Sequence, residues 1–184
     1  MRGIAATVSN PRTEAQMNQR AKFSTVLKFL QPLTQFLRIG FKNYAVGMTA
    51  FNAAMSINIQ NALTGTYPAY DIDYSKALVS RGTLPGALNP ATVSATAGTV
   101  RFTWGNNSWE TDASSDDQAV LVVYNPAKQA AVTQIGTITR AVGSQTITLP
   151  NSFTGDQVHC YIAFQNPSQS VISNSQYVSG LIVT

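Results

Sequence analysis

His159 and Cys160 are the only histidine and the only cysteine of the chain, and they are adjacent. A thiol beside an imidazole is the raw material of a nucleophile–base pair, so this dipeptide is the first place to look for catalysis. It lies in "DQVHCYIAF" (156–164), whose apolar and β-branched composition reads as a strand. Neighbours along a strand point to opposite faces. The pair is therefore expected to be split, one side chain in the core and one outside. A zinc site needs three or four such ligands, and no third ligand type clusters nearby.

The carboxylates come next. Asp71 and Asp73 share a strand face, and Asp116-Asp117 stand in the polar stretch "GNNSWETDASSDD" (105–117). Neither pair has the spacing of a calcium loop, and glycosidase carboxylates must face each other across a cleft. A solvated strand face and a solvated loop are the expectation, because exposed acids are the norm. "GNNS" lacks the Gly-Lys-Ser/Thr ending of a phosphate loop, and Asn106-Asn107-Ser108 is a glycosylation sequon of a kind frequent by chance. These residues give no catalytic constellation, no cofactor site and no metal site, and the chain is expected not to be an enzyme.

Composition points the same way. Only 11% of the 184 residues are charged, against about 25% in average soluble proteins. Ser, Thr, Asn and Gln supply the polarity instead, as in many secreted β-rich proteins and in subunits whose surfaces meet other subunits. Residues 1–60 hold seven basic residues against one acid, a net +6, and the remainder holds five against seven, a net −2. Such asymmetry suits nucleic acid, an anionic membrane or the acidic part of another copy. Phosphate contact would need Arg12, Arg20, Lys22 and Lys28 converging on one face. Arg20 and Lys28 share a side of the predicted helix, Lys22 points elsewhere, and base-stacking aromatics are not interleaved. Nucleic acid is thus disfavoured. No apolar run approaches the roughly 18 residues needed to span a bilayer.

The elements that carry these residues fall into two halves. "GIAATV" (3–8) suggests a short strand. Thr13 to Gln16 has the capping-box pattern of a helix start. Phe23, Val26, Leu27 and Leu30 follow at 3.6-residue spacing as one apolar stripe, and Pro32 is expected to end or kink the helix. A second helical segment stops near Gly40. A third runs from Thr49 as N-cap to Gly65, with Phe51, Ala54, Met55, Ile59 and Ala62 on one face. From "TYPAY" onward the period becomes 2: Tyr70, Ile72 and Tyr74, then Val100, Phe102 and Trp104, alternate with polar residues. Further strands are expected at 118–124, 131–136, 144–149, 156–164 and 175–184. Two of them close on Asn-Pro, at Asn125-Pro126 and Asn166-Pro167, where a turn should begin. About seven short strands with such punctuation predict an antiparallel sandwich of the immunoglobulin or fibronectin type III kind. The fold expected is α+β: an N-terminal strand and helical segment, 1–66, packed on or projecting from a β-sandwich, 67–184.

The stretches "TEAQMNQRAKF", "FNAAMSINIQNALTGTYPAYDIDYSK", "VYNPAK" and "GDQVHCYIAF", in that order, resemble an uncharacterised Bacteroidota family known only as a domain of unknown function. The resemblance covers nearly the whole chain and implies no activity and no catalytic residues. The resemblance implies a Gly-rich strand-forming segment upstream of the counterpart of "MRGIAATVSN". Either Met1 is an alternative or engineered start or the protein is trimmed there, and trimming would leave a strand for a neighbouring copy to supply. The functional expectation is a structural subunit that self-associates, in a cell-surface or extracellular filament, with Ile4, Val8, Phe23, Leu27 and Leu30 as contacts to other copies. Amphipathic helices usually face their own core, which would instead bury the last three. The alternatives are a glycan- or protein-binding sandwich that uses its loops or Trp109, and a nucleic-acid binder using the basic helix.

Overall fold

The computed structural model describes residues 12–184. Its first helix, α1 (Glu14–Leu30), starts at Thr13, whose hydroxyl accepts a hydrogen bond from the Gln16 amide at 3.4 Å. Glu14 in the first turn and Lys28 in the last both complement the helix dipole. Pro32 cannot continue the amide ladder, and the chain passes through a 3-10 turn at Gln31–Leu33 into α2 (Thr34–Gly40). α3 (Ala50–Asn61) repeats the capping device at Thr49, which accepts from the Asn52 amide at 3.1 Å. It stops short of Gly65. Leu63–Thr66 is instead a strand, β1, paired antiparallel with β2 (Ala69–Ile72). Gly65 sits there at φ +83°, where an added Cβ would lie 2.4 Å from the Ala69 carbonyl oxygen.

The sandwich begins at Leu88. Its strands are β3 (Leu88–Val93), β4 (Thr99–Gly105), β5 (Gln118–Asn125), β6 (Ala130–Thr139), β7 (Ser144–Thr148), β8 (Gln157–Gln165) and β9 (Gln176–Ile182). They form a three-stranded sheet, β3-β4-β7, and a four-stranded sheet, β6-β5-β8-β9, with every pairing antiparallel. Three strands facing four is the arrangement of a fibronectin type III sandwich. Seven strands were expected and seven are present, but the membership differs. The 70–74 stretch belongs to the β1–β2 hairpin, and the seventh strand is β3, hidden in the sequence by Pro90. Pro90 is tolerated because β3 is an edge strand with a register shift between Leu88 and Ala91. Both Asn-Pro turns start as expected. The Asn125 side chain accepts from the Lys128 amide, and that of Asn166 accepts from the amides of Ser170 and Val171.

The helical segment packs on the sandwich and does not project from it. Val26, Phe29, Leu30, Leu33, Phe36 and Leu37 meet Val120, Val122, Tyr124, Tyr161 and Ala163 on the outer face of the four-stranded sheet. The other face of that sheet presents Ala119, Leu121, Val123, Val158, Cys160, Ile162 and Phe164 to Val100, Phe102 and Trp104 of β4. β5 and β8 are thus covered on both sides, which is why they read as unbroken apolar runs. β4 has one open face and alternates. The division expected between residues 66 and 67 falls inside the β1–β2 hairpin, whose Ile72 belongs to the helical core.

Two contacts fix the segment between β2 and β3 against its neighbours. Asn58 is fully buried in α3; its amide donates to the carbonyls of Ala54 and Leu78 and its oxygen accepts from the Leu78 amide. Gly82 passes so close to the strand-like segment at Ile172 that an added Cβ would come within 1.7 Å of the Ile172 carbonyl oxygen. Only glycine allows that approach.

Candidate functional site

His159 and Cys160 are directed to opposite faces of β8, as strand geometry requires. Neither is outside, however, because Tyr74, from the segment after β2, and Tyr177 of β9 cover His159 on the face expected to be open. Cys160 is fully buried between the sheets, and burial pushes its thiol up to about 12. His159 stacks on Tyr74 with ring centroids 3.9 Å apart, and its Nδ1 lies 3.1 Å from the Tyr177 hydroxyl. Burial pulls the imidazole below its ordinary 6.5, and the nearby Asp71 carboxylate offsets part of that shift. The unfolded chain therefore binds this proton at a higher pH than the folded chain. The His159 contribution is complete above about pH 6.5 and is lost as pH falls from there through the lower folded value. A His159→Phe variant should lose less thermal stability than the parent between about pH 7.5 and about pH 5. Parallel melting curves of the two proteins at both pH values would show no such role.

The acid pairs divide. Asp71 is exposed, and Asp73 holds Lys76 at 3.0 Å near the surface. Asp117 departs from expectation: it is only 1% exposed and faces the fully buried Arg140. The Asp117 Oδ2 accepts from Arg140 Nε at 3.2 Å and Nη2 at 3.1 Å. Arg140 Nη1 donates to the Gly86 carbonyl at 2.9 Å and to Asn107 Oδ1 at 2.6 Å, and Nη2 donates to the Pro85 carbonyl at 2.9 Å. All five guanidinium N–H groups are thereby matched, and the group lies 3.9 Å over the Phe164 ring. This cluster anchors both ends of the 105–117 segment. The sequence offered only a polar residue amid "ITRAVG" as a hint of it.

The stripe on α1 also splits. On a helix advancing about 100° per residue, Val26, Phe29 and Leu30 define the arc facing the sheet, and Phe23 and Leu27 fall to one side of it. Leu30 is accordingly sealed in the core of its own chain and cannot touch a partner, whereas Phe23 is 54% and Leu27 42% exposed. Ile4 and Val8 lie outside the described residues. Phe23 and Leu27 form one wall of a groove of about 900 Å³ between α1 and α3, together with Arg20 and Ser24. Met48 and the α3 residues Phe51, Asn52, Met55, Ser56, Ile59 and Gln60 form the rest. Met48 is half-exposed and escaped notice in the sequence because it precedes the helix. Arg20 and Lys28, expected to share a side of the helix, line different clefts: Lys28 borders a smaller one with Tyr70, Asp71 and Tyr74. Lys22 sits 5.6 Å over the Tyr70 ring. No group of three or more His, Cys, Asp or Glu among the described residues is placed to hold a metal ion. No described helix is long and apolar enough to cross a membrane.

A family model described as a family of unknown function (DUF6266) matches residues 1–179. The chain belongs to that family. No curated protein matches this DUF6266 chain. Among solved structures it is similar to the fn3 domain of human collagen alpha-1(XX) chain, at 13% identity and a TM-score of 0.40. That likeness covers 54% of this chain and 86% of the other. The three-on-four sandwich of the DUF6266 chain stands on its own strand pairings.

Proposed function

We propose that this protein is a non-enzymatic structural subunit that self-associates through the groove between α1 and α3, in a cell-surface or extracellular assembly such as a filament. The observation that carries the proposal is the groove itself: Phe23, Leu27 and Met48 are each about half exposed beside Phe51, Met55 and Ile59. A contiguous apolar surface of this kind, rimmed by polar residues, is the mark of a docking site. A second copy is the occupant that charge favours, because the helical third is basic and the remainder of the chain is acidic. Low overall charge with abundant Ser, Thr, Asn and Gln supports an extracellular setting.

Sedimentation velocity of the full chain should show species that grow with concentration. Leu27→Asp, at a part-exposed position, should give a monomer with an unchanged thermal midpoint. A parent protein that sediments as a monomer at every concentration overturns the proposal.

A further inference from the structure

We infer that the groove receives the Trp109 loop of a second copy, so that copies join head to tail. This rests on the self-association proposed above and names its other half. Trp109 is 71% exposed on the segment joining β4 to β5. A large aromatic held in water on an otherwise polar loop is the residue type that anchors interfaces.

The loop is also ordered before it meets anything. Asn107, two residues before the tryptophan, is 2% exposed; its amide donates to the Gly86 carbonyl at 3.0 Å and its oxygen accepts from Arg140. Asp117 fixes the far end through Arg140 and accepts from the Ser114 amide at 2.9 Å. Between them the Glu110 amide donates to the Asn107 carbonyl and the Ala113 amide to the Glu110 carbonyl, each at 3.0 Å. An anchor ordered in advance loses little conformational entropy on docking.

Charge selects the match. Glu110, Asp112 and Asp116 are exposed around Trp109, while the charge of Asp117 is met inside by Arg140. The groove has Arg20 in its wall, while Lys22 and Lys28 of the same helix lie toward Tyr70 and outside it. Apolar surface thus meets apolar surface, with acid against base around it. A groove-on-groove pair would instead set the Arg20 of one copy near that of the other. At about 900 Å³ the groove is also in the size range of sites that enclose a ligand larger than one side chain. The two mating surfaces differ, so the contact is heterologous, and each added copy presents a new groove or a new loop, giving rings or filaments.

The test uses two full-length variants, Trp109→Ala and Phe23→Ser, both at exposed positions, with folding checked by thermal melting. Each should weaken self-association by about 30-fold, as a hot-spot truncation does. Mixed in equal amounts, they should form a one-to-one pair that does not grow, because one keeps an intact groove and the other an intact loop. If Phe23→Ser is monomeric while Trp109→Ala assembles like the parent, the groove takes another occupant; this inference fails and the proposed function survives. If the mixture stays monomeric, the head-to-tail pairing is likewise wrong. A parent monomeric throughout removes both.

Discussion

Asp117→Ala is expected to lower folding stability by about 3–5 kcal/mol, the cost of stranding one member of a buried ion pair. The substitution leaves the Arg140 guanidinium at 0% exposure with no anion, still bonded to Asn107 and to the carbonyls of Pro85 and Gly86. It also takes the acceptor from the Ser114 amide. Arg140 keeps its proton regardless of this environment, so the charge cannot be shed. Replacing both partners, Arg140→Met with Asp117→Leu, should cost less than Asp117→Ala alone, since no buried charge remains. Urea unfolding measures both through the midpoint at constant slope. A loss of under about 1 kcal/mol for Asp117→Ala would mean that water reaches the pair, as it does at surface ion pairs.

Phe29→Ala should cost a similar amount, about 3–5 kcal/mol, through the cavity it opens. The Phe29 ring is 1% exposed and meets Tyr74 and Tyr124 edge-on, with centroids 5.6 and 5.0 Å away. Tyr124 belongs to β5 and Tyr74 to the segment after β2, so this one ring joins the helical layer, the hairpin region and the sandwich. The whole described chain should therefore unfold in one transition that shifts as a unit. Far-ultraviolet circular dichroism for the helices and tryptophan fluorescence for the sandwich should report the same midpoint. Separate midpoints, with only the helical signal displaced by Phe29→Ala, would show that the layer folds independently.

Local chemistry alone was enough to place the caps at Thr13 and Thr49, the break at Pro32 and the turns at Asn125-Pro126 and Asn166-Pro167. Each depends on groups within a few residues, and the structure shows them acting as their side chains require. β4 was legible because one open face imposes alternation. β3 was not, since Pro90 argues against a strand unless its edge position is known. The α1 stripe was half legible: periodicity finds the apolar side of a helix, but which 100° of it faces the sheet depends on where the sheet is. That placement buries Phe29 and leaves Phe23 and Leu27 at the groove.

Residue types and their short-range spacing determined the kinds of elements this chain makes, and they separated His159 from Cys160 before any contact was known. Tertiary structure alone decided which polar residues would be buried. Asp117 and Arg140 are 23 positions apart in unremarkable surroundings. The β5–β6 register that pairs Gln118 with Thr139 sets them side by side, and Pro85, Gly86, Asn107 and Phe164, from distant parts of the chain, close over their charges. The physical reason is range. Hydrogen bonds of caps and turns are set by a few backbone angles, whereas burial depends on layers assembled from opposite ends of the chain.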